Sequence, residues 1–160
     1  MNPDLKSKKQ NMNGIWFFGL AGSGKTLASR IFARFVHNPF IIDGDEVRKF
    51  ISFDLGYSLT DRKTQISRMH GLAQIARNNH QFPIVSTVLM TDEIFQKCIQ
   101  EDIKVVQIER PMDQLHKERK IYDTEQNVVG KSIKQINLNT FKIYNNGDNK
   151  FEKELEEFVK

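Results

Sequence analysis

Short runs of consecutive apolar residues alternate along this chain with longer stretches in which apolar positions recur every three or four residues. The runs are Gly14–Gly19 (GIWFFG), Pro39–Ile42 (PFII), Phe82–Thr87 (FPIVST), Ile103–Ile108 (IKVVQI) and Phe141–Tyr144 (FKIY). Each is nearly continuous in apolar side chains, the pattern of a strand buried on both faces of a sheet. Between them, Lys25–Val36, Thr60–Asn79, Thr91–Gln100, Pro111–Tyr122 and Lys150–Val159 are expected to be helices. In the second of these, Ile66, Met69, Ala73 and Ala76 fall on one helical face. Pro111 suits a first helical turn, and Asp148 is placed to cap the last helix. Strands alternating with helices predict an α/β fold: a three-layer sandwich whose five-stranded, mostly parallel sheet carries helices on both faces.

A length of 160 residues fits one domain. Residues 1–13 are polar and read as a flexible tail, leaving 14–160 as the single domain. The exception to the compact pattern is Asp123–Asn139 (DTEQNVVGKSIKQINLN), which is long, polar and without a clear period. It reads as a surface loop or lid, with the lid region spanning about 119–139. Cys98 is the only cysteine, so neither an intrachain disulfide nor a cysteine zinc set can form. The four histidines are isolated and lack metal-ligand spacing. No apolar run is long enough to span a bilayer, and the first residues lack the apolar core of a secretory signal. The expectation is a cytoplasmic protein that does not engage membrane. A net charge of +4, spread along the chain, suits small anionic nucleotides as well as nucleic acid; no nucleic-acid partner is expected.

Gly19-Leu20-Ala21-Gly22-Ser23-Gly24-Lys25-Thr26 fits G-x-x-x-x-G-K-[ST] in full. The glycines let backbone N–H groups wrap a phosphate, Lys25 reaches the β- and γ-phosphates, and the Thr26 hydroxyl can hold Mg²⁺. An apolar strand precedes the motif and a helix follows it, which is the context the motif needs; the helix directs its positive end at the same anion. The nucleotide-binding residues are therefore Gly19, Ala21, Gly22, Ser23, Gly24, Lys25 and Thr26, with ATP and Mg²⁺ as the implied ligands of a P-loop NTPase. A GTPase is disfavoured: no D-x-x-G occurs, and Asn149-Lys150-Phe151-Glu152 ends in the wrong acid for guanine.

The second strand ends in Asp43-Gly44-Asp45-Glu46-Val47-Arg48. Carboxylates at the carboxyl end of a parallel strand face the crevice where such sheets bind ligands. In a kinase one can accept the proton of the attacking hydroxyl while the other helps hold the metal, so Asp43 and Asp45 join Lys25 as catalytic candidates. Asp45 is also a metal candidate alongside Thr26. Arg48 adds a planar, permanently charged fork for an anionic acceptor.

Taken with Asp54-Leu55-Gly56-Tyr57-Ser58 and Asp61-Arg62, this segment resembles the D-G-D-N-[IV]-R … D-L-G-F-S … D-R series of adenylylsulfate (APS) kinases. The resemblance covers about half the chain, from Gly14 to roughly Thr87, and continues weakly into Glu118-Arg119. It implies transfer of the ATP γ-phosphoryl group to the ribose 3′-hydroxyl of a nucleotide, and a homodimer. It also implies Asp43 as general base, Arg48 and Arg62 as acceptor-holding arginines, Tyr57 as a base platform and Arg119 near the ATP adenine.

Several positions depart from the family pattern. Gln65 stands in place of an asparagine, Ser67 in place of an arginine, and Leu89-Met90-Thr91 in place of Ile-Ser-Pro. The lid run F-T-G-[IV]-D-D-P-Y-E-P-P is replaced by Asn127-Val128-Val129-Gly130-Lys131-Ser132-Ile133. Gln65, Leu89 and Lys131 complete the acceptor-binding candidates with Asp45, Arg48, Tyr57 and Arg62. The lost lid phenylalanine would have stacked on the acceptor adenine, a contact worth ~1–3 kcal/mol. Two acceptors follow: APS itself, or a pyrimidine nucleotide such as the cytidine diphosphoramidate used in bacterial capsule modification. A third reading is an inactive ATP-binding regulatory subunit, against which stand Lys25, Thr26, Asp43 and Asp45.

Overall fold

The computed structural model describes residues 12–118 and 127–159. Five strands form the sheet: β1 Gly14–Phe18, β2 Pro39–Asp43, β3 Phe82–Thr87, β4 Ile103–Glu109 and β5 Phe141–Tyr144. The helices are α1 Lys25–Ala33, α2 Gly44–Phe50, α3 Leu59–Asn78, α4 Asp92–Gln100, α5 Met112–Glu118 and α6 Lys150–Glu157. The strand order is β2-β3-β1-β4-β5, and all four pairings are parallel. The expected α/β sandwich is therefore present, its sheet entirely rather than mostly parallel.

β1 lies at the centre and explains why its sequence shows no alternation. Successive side chains point to opposite faces, and both faces are covered. Trp16 and Phe18 join Met69, Val85 and Ile94 on the α3/α4 side. Ile15 and Phe17 join Phe32, Val106 and Leu155 on the α1/α6 side. The Trp16 indole N–H, fully buried, donates to Thr87 Oγ1 at 2.9 Å. Strands β2 and β5 depart from the expected double burial: both are edge strands, with Phe40 and Ile41 exposed on the first and Phe141 and Tyr144 on the second.

Three further local features differ from the sequence reading. Strand β2 runs on through Asp43 and is followed by a seven-residue helix, α2, absent from the expected set and capped by the Asp43 side chain, which accepts from the Asp45 N–H. Asn149 rather than Asp148 precedes the last helix, yet the Asp148 carboxylate accepts from the Lys150 N–H at 3.1 Å and so serves the same end. The described part of the irregular stretch, residues 127–139, is not a purely surface loop. Val128, Val129, Ile133 and Leu138 are buried, and the latter three join the α3/α4 side of the core.

Cys98 is buried within α4. Desolvation, with the nearby Glu101 charge adding to it, pushes its thiol up to about 12. Since the thiolate is the nucleophile, the native protein should not react with an aromatic disulfide reagent at pH 8. One thiol should be released on unfolding in guanidinium, with absorbance at 412 nm as the readout. Rapid reaction of the native protein would show that α4 opens.

Candidate active site

The site forms where the strands end. β1 stops at Phe18, and residues 19–24 turn into α1 at Lys25. Gly24 precedes the helix with φ +107°, and a Cβ there would lie 2.5 Å from Asn145 Nδ2. Both conformation and space therefore require glycine. Asn145 follows β5 directly and donates through Nδ2 to Ser23 O at 2.9 Å. Arg110, just past β4, donates to Gly22 O at 3.1 Å. The loop is thus held from beneath by the ends of two other strands. No side chain caps α1, which leaves its first-turn N–H groups presented to an anion. Lys25 arches back over the loop, Nζ to Leu20 O at 2.9 Å. A cavity of about 350 Å³ opens here, lined by Ala21, Gly22, Gly24, Lys25, Thr26, Asp43, Gly44, Asp45 and the end of β3 from Ser86 to Val88.

Asp43 is fixed by three donors. Its Oδ2 accepts from Thr26 Oγ1 and Ser86 Oγ, each at 3.1 Å, and its Oδ1 accepts from Asp45 N at 3.0 Å. The Asp43 carboxylate therefore joins the first turn of α1 to the end of β3. Thr26, Asp43 and Asp45 offer only oxygen donors, a set that suits a hard divalent cation such as Mg²⁺. Among the described residues no group of three or more His, Cys, Asp or Glu side chains is arranged to hold a metal alone.

A second, smaller cavity of about 70 Å³ is lined by Asp45, Arg48, Tyr57, Arg62, Gln65, Leu89, Ile66 and Met69. It shares Gly44, Asp45, Thr87 and Val88 with the first. The Arg48 and Arg62 guanidinium carbons lie 4.3 Å and 5.4 Å from the Tyr57 ring centroid. Arg62 is 9% exposed. It donates to Tyr57 O at 3.0 Å and to Asn127 O at 2.9 Å, with no carboxylate partner among the described residues. Burial first, and the neighbouring Arg48 charge second, push its pKa down. Two guanidinium groups thus flank Tyr57 in this cavity, with Asp45 the one carboxylate among its described lining residues. The Gln65 amide N–H donates to Gly44 O at 3.1 Å, steadying the turn between the two aspartates.

Six of the seven acceptor candidates thus line one cavity. The seventh, Lys131, is on an exposed turn and lines neither. Gly19 and Ser23 border a neighbouring space beneath the loop, and Arg119 lies outside the described residues. Sequence reasoning missed Ser86, Thr87, Val88, Arg110 and Asn145. Their signal was positional: each stands at or just past the carboxyl end of a strand, the edge where such sheets bind ligands.

The described part of the stretch expected to be a loop or lid packs beside the phosphate loop. Residues 127–138 pack Val128 with Leu115 and against Leu20 of the phosphate loop. Gly130, at φ +90°, leaves so little room that a Cβ would approach Leu20 Cδ2 to 2.8 Å. At the other end the Gln135 amide pairs with both backbone polar atoms of Met90, at 2.8 and 2.9 Å.

Three comparisons bear on this geometry. A model of the adenylylsulphate kinase family matches residues 11–124. The adenylyl-sulfate kinase of Vibrio vulnificus is 40% identical over 76 residues, 45% of this chain and 36% of that protein. Its counterpart from Shewanella amazonensis is 39% identical over 66 residues, 38% of this chain and 33% of that protein. The matched stretch thus spans about a third of these relatives. In overall fold the chain superposes on the Mycobacterium tuberculosis APS kinase CysC, in complex with AMPPNP and APS, with a TM-score of 0.80. That match has 20% identity and covers 92% of this chain and 95% of that one. A gluconokinase from Sinorhizobium meliloti shares the fold more loosely, with a TM-score of 0.61 at 15% identity over 92% and 91% of the two chains.

Proposed function

The chain belongs to the adenylylsulphate kinase family, and on that premise we propose that it transfers the γ-phosphoryl group of ATP to the ribose 3′-hydroxyl of a small nucleotide. The observation that supports this most is the shared wall. A glycine-rich phosphate cradle and a cation-lined cleft meet along Gly44, Asp45, Thr87 and Val88, the arrangement a donor and an acceptor need to react in line.

In this reading residues 19–26 hold the donor triphosphate through backbone N–H groups and Lys25. Thr26 and Asp45 would hold Mg²⁺, which when bound neutralises charge on the phosphates. Asp43, oriented by Thr26, Ser86 and the Asp45 N–H, takes the hydroxyl proton as the acceptor oxygen bonds to the γ-phosphorus and the bond from that phosphorus to the β–γ bridging oxygen breaks, ADP leaving with the bridging oxygen. Arg48 and Arg62 grip the anionic part of the acceptor, and Tyr57 supplies a face for its base. Residues 127–138 keep water from the transferring group.

APS is the acceptor the family implies. One observation favours a smaller base: Tyr57 is the only aromatic side chain among the described residues lining the acceptor cavity, so a purine would stack on one face only. A coupled ATP assay with Mg²⁺, comparing APS with cytidine diphosphoramidate at equal low concentration, separates the two. Tenfold or greater preference for APS is the expected result of the family reading, and the opposite preference re-assigns the acceptor. Turnover of neither would remove the proposal.

A further inference from the structure

The geometry points to Asp54 and Arg68 as positioning residues that set the acceptor platform without touching the acceptor, an inference that rests on the acceptor cleft proposed above. The segment between α2 and α3, residues 51–58, carries Tyr57 and has little apolar anchorage of its own. Phe53 and Tyr57 are exposed, at 79% and 55%. Polar side chains from the flanking helices hold its shape instead. Asp61 Oδ2 accepts from the Gly56 N–H at 3.0 Å, and Arg48 donates to Gly56 O at 2.7 Å. Arg62 donates to Tyr57 O at 3.0 Å.

Those three contacts fix only the exit of the segment. Its entry is fixed by Arg68, two turns further along α3 than Asp61. Arg68 Nη1 and Nη2 donate to Asp54 Oδ1 and Oδ2 at 2.6 and 2.9 Å, and Nη1 also reaches Ser52 Oγ at 3.3 Å. The two-point fork sets orientation as well as distance, which a lysine cannot reproduce. The Arg68 hydrogen bond also holds the Asp54 carboxyl below its ordinary range. The pair is 35% and 51% exposed, where an ion pair contributes little to global stability. Its consequence is therefore local: it decides where Gly56 and Tyr57 sit relative to Arg48 and Arg62. Neither Asp54 nor Arg68 lines either cavity.

The test pairs kinetics with hydrogen exchange on the full chain. Arg68→Met should raise the acceptor KM by about tenfold, the scale of a misplaced binding group, with kcat and the ATP KM within twofold of wild type. Arg68→Lys should recover only part of the loss, and Asp54→Asn should match Arg68→Met. Exchange followed by mass spectrometry should show faster labelling of a peptide covering 51–58 in Arg68→Met, with peptides from α1 and β1 unchanged. Unchanged exchange at 51–58 overturns the positioning role whatever the acceptor is. Faster exchange with an unchanged acceptor KM, or a fall in kcat alone, overturns its link to acceptor binding. A wild-type protein that turns over neither nucleotide removes the functional reading and the acceptor half of this inference, while the exchange result still decides the loop.

Discussion

Asp43→Asn should lower kcat by about 10²–10⁴-fold, the usual contribution of a positioned acid or base, while nucleotide still binds. Asparagine is the informative substitute because it keeps the helix cap: its side-chain oxygen can still accept from the Asp45 N–H, and asparagine caps about as well as aspartate. Alanine would lose the cap as well, at about 1 kcal/mol, and mix folding with chemistry. What asparagine cannot do is take a proton from the acceptor hydroxyl. Steady-state kinetics with either nucleotide, beside a fluorescent ATP-analogue titration, separates the steps. A lowered kcat with intact nucleotide affinity is expected. Wild-type turnover would mean that Asp43 only ties Thr26 to Ser86, and would move the base to Asp45, which stands in the wall common to both cavities.

Arg62→Met should cost about 10²–10³-fold in kcat/KM for the acceptor, the scale of removing one partner of a buried charge-assisted contact, and little in ATP affinity. Methionine fills much of the same volume but removes the donors to Tyr57 O and Asn127 O and half of the local positive charge. Burial and the Arg48 charge both oppose a cation here, yet an arginine stays protonated throughout the accessible pH range. In the proposed reading it is the acceptor anion, and not the loss of a proton, that offsets the paired cations. The acceptor-dependent loss should accordingly be flat between pH 6 and 9. A variant with unchanged acceptor kinetics would leave Arg62 as a brace for residues 57 and 127 alone.

The sheet was legible because its three inner strands, β1, β3 and β4, are covered on both faces, and such strands spell themselves as unbroken apolar runs. Edge strand β2 reads the same way from Pro39 to Ile42 although Phe40 and Ile41 face outward, so its place at the margin could not be read. The phosphate loop and the Asp43–Arg48 segment were legible because their chemistry is compressed into consecutive residues. Helix α2 was not: it is seven residues long, begins at a glycine and buries only Val47, so neither periodicity nor propensity marks it. The burial within residues 127–138 was illegible for a related reason. Val128, Val129, Ile133 and Leu138 are buried by a turn and a parallel bridge between Val129 and Ile133, a geometry with no period. The Asp54–Arg68 fork joins residues from a loop and a helix, and nothing local in either announces the other.

The segment of residues 127–138 is braced at two points. Its Val128–Gly130 end rests on Leu20 of the phosphate loop, and its Gln135 end is clasped to Met90, next to Leu89 of the acceptor wall. A span braced at both abutments cannot follow one wall alone; to swing with either, it must let go of the other. Two small joints, a methyl against a bare α-carbon and one amide on the backbone of one residue, hold the segment at its two ends, and neither carries any of the proposed chemistry.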